Sequence, residues 1–117
     1  MNKTYLMVEY GSRGEFDIQG LVETNVKQLE LENEQILKEN LEDDLDFTDE
    51  FMFVSEDVEK GIIEVGIYEE LSYSYFEYEK NKEKLDRVLE IVKLSENDEI
   101  DEVEGYNEID EILSELY

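Results

Sequence analysis

Lacking both histidine and cysteine, this chain can perform acid–base or nucleophilic chemistry only through carboxylates, tyrosines, hydroxyls and lysines. Carboxylates dominate: 35 Asp and Glu stand against 10 Lys and Arg, a formal net charge of -25 in 117 residues. Two carboxylates act as acid and base when their surroundings drive their pKa values apart. Here close acidic pairs are so numerous that none is singled out, and the chain is expected to be non-enzymatic. Without cysteine there are no disulfides, thiolate metal sites or thiol catalysis. The turn Gly11-Ser12-Arg13-Gly14 is too short for a phosphate-binding loop.

Metal binding is the second chemistry that such residues invite. Asp43, Asp44, Asp46, Asp49 and Glu50 resemble an oxygen cluster for a hard cation. A calcium loop of the EF-hand kind needs alternating ligands, a glycine at its sixth position and a glutamate at its twelfth. Counting from Asp44 the sixth residue is Asp49, and counts from Asp98 or Asp101 fail likewise. Neither a metal site nor a cofactor is expected.

The third possibility is the acidic surface itself. Acids three or four apart on a helix lie about 5–6 Å apart, and outward residues two apart on a strand roughly 6.5–7 Å. Phosphates along one nucleic-acid strand advance with comparable spacing. Folded acidic helices and strands can therefore hold carboxylates in rows that imitate a phosphate backbone. In the C-terminal segment the candidates are Asp98, Glu99, Asp101, Glu102, Glu104, Glu108, Asp110 and Glu111, with Glu115 beyond them. In the middle they are Glu64, Glu69, Glu70, Glu77 and Glu79, beside the tyrosines Tyr68, Tyr73, Tyr75 and Tyr78. Tyrosine is a frequent interface anchor, because it offers a large area at low entropic cost. Some of these rings must also cover the sheet.

The charge is unevenly placed: -4 over 1–40, -13 over 41–79, +2 over 80–93 and -10 over 94–117. Lys80, Lys82, Lys84, Arg87 and Lys93 form the basic interruption and are expected to balance neighbouring acids. An evenly acidic, salt-adapted surface would lack such an island. Net charge of this size steers toward basic partners while straining the compact state. Direct contact with nucleic acid or an anionic membrane is disfavoured, since nucleic-acid affinity rests largely on Lys and Arg at phosphates. No apolar run approaches the roughly 18 residues of a membrane span, and the N-terminus lacks an apolar signal-peptide core, so a cytoplasmic protein is the expectation.

The elements that must position these groups follow from periodicity. One α+β domain over 1–117 is expected: an antiparallel sheet with two or three helices packed on one face. Residues 4–10 and 15–22 read as a hairpin, and 51–54, 62–68 and 71–79 as a three-strand meander. In the second meander strand Ile63, Val65 and Ile67 point one way. Residues 25–32 fit neither period cleanly, and a helix is expected from Asn33 to about Leu45. Leu85, Val88, Leu89 and Val92 mark a helix over 81–94, and Ile109, Ile112, Leu113 and Leu116 mark another over 107–117, with Asn107 as its cap.

With its acidic runs EDDLDFTDE (42–50) and ENDEIDEVEG (96–105), the chain resembles the small acidic nucleic-acid mimics made by phages and mobile elements. The resemblance is one of length, charge and acidic runs. The class shares no common fold, so no residue's role is carried over. It implies an inhibitor that occupies the basic DNA- or RNA-binding cleft of a host protein: a restriction or CRISPR nuclease, a histone-like protein or RNA polymerase. Two other readings share the composition, an immunity protein that neutralises a basic nuclease toxin and an acidic accessory domain of a larger assembly. A homodimer built on the aromatic strand 71–79 would lengthen the acidic face.

Overall fold

Period-two alternation builds five antiparallel strands, and residues 2–11, 15–42, 53–68 and 71–117 are described by the computed structural model. In chain order the elements are β1 (Lys3–Gly11), β2 (Phe16–Thr24), α1 (Val26–Glu42), β3 (Phe53–Asp57), β4 (Ile62–Tyr68), β5 (Leu71–Glu77), α2 (Lys82–Glu96) and α3 (Glu102–Leu116). The sheet runs β2-β1-β5-β4-β3. It is the expected hairpin and meander, although β3 runs on to Asp57, past the expected end at Val54, and β5 stops at Glu77, two residues short of 79; the two parts join where β1 lies antiparallel to β5 with Leu6 opposite Phe76. The acidic run Asp43, Asp44, Asp46, Asp49 and Glu50, together with Glu69 and Glu70, lies outside the described residues, as does Leu45.

Side chains on alternate strand positions go to opposite faces, and both faces are used. Leu6, Val8, Ile62 and Phe76 meet Leu85, Val88 and Ile91 of α2 and Ile109, Leu113 and Leu116 of α3. Two helices thus share one face of the sheet. Residues of the other parity, Tyr5, Ile63, Val65 and Tyr75, form a second cluster with Leu29, flanked by Val26, so α1 covers that side. Ile63 and Val65 point together as expected, and the adjoining Ile62 serves the first cluster. Among the described residues no helix is long and apolar enough to cross a membrane.

Two helices begin earlier than periodicity alone suggests, and capping is the reason. Asn25 accepts the Gln28 backbone N–H through its side-chain oxygen (2.9 Å), so α1 starts at Val26, seven residues before Asn33. Asp101 likewise accepts from the Val103 N–H (2.8 Å) and is the N-cap of α3, displacing Asn107 from that role. A carboxylate there satisfies an orphan donor and sits at the positive end of the helix dipole.

Between α2 and α3 the chain turns tightly. Asp98 takes a left-handed conformation (φ 57), its N–H reaches the Ser95 carbonyl (3.2 Å) and the Glu99 N–H reaches the Leu94 carbonyl (2.9 Å). This is a Schellman ending with aspartate where glycine is usual. The helices then run back against each other at Gly105. A Cβ built on that residue would stand 2.7 Å from the Ser95 hydroxyl and 3.2 Å from an Ile91 methyl, so glycine permits the approach. At the other end Lys60, in the β3–β4 turn, places Nζ 2.9 Å from a main-chain oxygen of Tyr117. It supplies positive charge just beyond α3, whose own last turn has no basic residue.

Candidate functional site

The apolar face of α3, made of Gly105, Ile109, Leu113 and Leu116, fixes the direction of every carboxylate on the helix. At 3.6 residues per turn, Glu104, Glu108, Glu111 and Glu115 fall on one stripe that rises about 16 Å along the axis. Glu102, Tyr106 and Asp110, four apart, form a second row on the opposite flank. Preceding both, Asp98, Glu99 and Asp101 are exposed around the turn into the helix. The C-terminal acids of the sequence are thereby brought together on one element.

Charges from α2 touch one edge of this array. Arg87 donates from Nε (3.1 Å) and Nη2 (2.9 Å) to Glu108 Oε1, and from Nη1 to Glu90 (3.0 Å). These contacts hold its guanidinium pKa above the usual value, chiefly through the hydrogen bond to Glu108. Lys84 Nζ lies 3.5 Å from Glu115. Two of the five island residues, Lys84 and Arg87, thus bridge α2 to α3, while Lys80 donates to the Val58 carbonyl instead (2.8 Å). Asp98, Glu99, Asp101, Glu102, Glu104, Asp110 and Glu111 have no cation in ion-pair range among the described residues.

The middle of the chain does not extend the array as a single belt. Glu64 is half-buried on β4, on the α2–α3 face opposite Ser74. Glu77 is half-buried and 3.4 Å from Lys3. Glu79 is exposed in the turn before α2, with the length of that helix between it and Asp98. Tyr68 ends β4.

The tyrosines expected to anchor a partner are largely structural. Tyr75 is 6% exposed, its ring edge-on to Tyr5 at 6.4 Å, so its anchoring role is withdrawn. Tyr73 packs half-buried beside the same cluster. Tyr78 is half-buried and donates its hydroxyl to Asp86, a contact that raises its pKa. β5, which carries Tyr73 and Tyr75, pairs with β1 and β4 on its two sides, so edge-to-edge strand pairing of two copies through it is closed. The ring that does flank the acidic helix is Tyr106, 40% exposed and stacked on Phe16 at 4.3 Å and 16°. It went unnoticed in the sequence because the helix was expected to begin one residue after it.

Burial leaves a titration signature. It drives the Tyr75 phenol up to about 12, with Glu32 and Tyr73 adding to the shift. Tyr10 is raised as well, first by burial and then by its hydrogen bond to Tyr117, whose hydroxyl also lies 2.7 Å from Ser74 Oγ. The neutral phenol is therefore favoured in the folded state. The stability it contributes is complete below pH 10, the ordinary phenol value, and is lost as pH rises through about 12. Denaturant unfolding between pH 9 and 12 should show Tyr75→Phe losing about 2 to 3 kcal/mol less than the parent chain. Equal losses would mean that the phenol is already free to ionise in the fold.

No family model matches the chain, and neither a curated protein nor a solved structure matches it.

Proposed function

We propose that this protein is a non-enzymatic inhibitor that occupies the basic nucleic-acid-binding site of a host protein by imitating a phosphate backbone. The observation that carries this reading is the set of carboxylates with no cation in ion-pair range among the described residues, Asp98, Glu99, Asp101, Glu102, Glu104, Asp110 and Glu111, borne on or just before a helix whose apolar face is locked into the core. Carboxylates on freely moving chains would lose conformational entropy on binding, whereas a packed helix presents them already ordered. Side chains three or four apart on such a helix lie about 5–6 Å from one another, close to the advance of phosphates on a strand. Long-range attraction speeds encounter, and short-range contacts then set how long the complex lasts. The nuclease, histone-like and transcription proteins named above all present surfaces of the required sign.

The test uses the intact chain immobilised in host lysate at low salt. A basic nucleic-acid-binding protein should be retained and then released by duplex DNA. Retention should fall at least about tenfold, or about 1.4 kcal/mol, for the combined variant Glu104→Gln, Asp110→Asn and Glu111→Gln, whose side chains make no ion pair among the described residues. Retention that neither DNA nor the triple variant diminishes would overturn the proposal.

A further inference from the structure

Beside the acidic helix runs a groove of about 420 Å³, between β2 and the α2–α3 pair. Ile18, Val92 and Ile109 contribute its apolar lining, and the stacked rings of Phe16 and Tyr106 stand along it. Two carboxylate residues, Glu96 and Glu102, also line it, and both are exposed. Asp17 also borders it, but alternates with Phe16 and Ile18 along β2 and so directs its side chain to the other face of the sheet, where it accepts a hydrogen bond from Gln19 (3.1 Å). Neither Glu96 nor Glu102 has a Lys or Arg in ion-pair range among the described residues. The basic island pairs with Glu108 and Glu115 on the other flank of α3 and, among the described residues, does not reach this one.

We infer that the groove receives an arginine side chain of the basic partner, an inference that rests on the inhibitory reading above and names one contact within it. Three features of the groove match the three parts of an arginine. Its aliphatic stem suits the Ile18, Val92 and Ile109 surface, its planar guanidinium can stack on an aromatic face, and its forked donors match carboxylate geometry. Lysine matches less well, being a compact and strongly hydrated charge. A second copy of this chain is a poor occupant, since it would bring another charge of -25 to an acidic surface. An anionic ligand meets the same repulsion.

The test titrates two end-blocked peptides, Gly-Arg-Gly-Arg-Gly and Gly-Lys-Gly-Lys-Gly, into the isotope-labelled full chain and follows backbone amide shifts. The arginine peptide should move Ile18, Val92, Glu102 and Tyr106 saturably and bind about fivefold tighter than the lysine peptide, the scale of one cation–π contact. Tyr106→Ala should abolish that preference while circular dichroism stays unchanged, and Tyr106→Phe should keep it. Equal affinities that respond only along Glu104–Glu115 would overturn the groove and leave the inhibitory reading standing. Arginine-selective binding in the groove, combined with a lysate capture insensitive to DNA, would do the reverse. Absence of binding by both peptides overturns the groove, and so does equal binding of a Gly-Leu-Gly-Leu-Gly control.

Discussion

Raising NaCl from about 50 mM to about 500 mM should weaken the complex with the basic partner on the order of 100-fold or more. Over that range the screening length falls from beyond the spacing of neighbouring carboxylates to less than it. The seven acids around and along α3 that have no cation in ion-pair range among the described residues then cease to act as one field. Folding stability should move the opposite way, because the same salt screens the self-repulsion of a chain at -25. Opposite signs in the two measurements separate lost attraction from simple unfolding. Affinity measured by calorimetry at four salt concentrations, with melting curves alongside, is the check. A change below about fivefold, or a chain that melts earlier in salt, would show that attraction between charges is not what holds the pair together.

Phe76→Ala should cost about 3–5 kcal/mol. The ring is fully buried near the end of β5, the central strand of the sheet, flanked by Leu6 on β1 and Ile62 on β4, with Tyr117 edge-on at 5.5 Å. All the elements around it are constrained by hydrogen bonds or by the α2–α3 contact, so the vacated space has little means of closing. Domains of this size hold only about 5–15 kcal/mol in reserve, and here mutual repulsion of acids draws on the same margin. Urea unfolding should show the midpoint falling by about 2 M, while Phe76→Leu should lose roughly a third as much. A loss below about 1 kcal/mol for the alanine variant would mean that the two helices are not seated on this residue.

How much of this could be read from residues alone depended on which force set each element. Strands alternate because the sheet has two sides, so the hairpin and meander were legible from Tyr5–Tyr10, Ile62–Tyr68 and Leu71–Tyr75. The body of α2 was legible too, through Leu85 and Val88. Helix starts were not, because a start depends on one capping side chain and apolar spacing takes over only later. Asn25 with Gln28, and Asp101 with Glu104, are the three-apart pairs that could have located both. Gly105 hid the first turn of α3 by its poor helix propensity, and only the approach of Ser95 explains its presence. At the candidate site, the acidic row followed from spacing on a helix. The Phe16–Tyr106 stack did not, since it joins β2 to α3 across most of the chain and leaves no local trace.

The junction between β1 and β5 sets the order in which this molecule can assemble. β1 has one partner close by in the chain, β2, and another that lies beyond α1 and two further strands. During synthesis the first hairpin therefore waits with an open side until β5 has left the ribosome. Closing so long a loop is entropically slow. Commitment to the native state is thus a late event, and the first half of the chain must stay dispersed until then, a task for which abundant like charge is well suited.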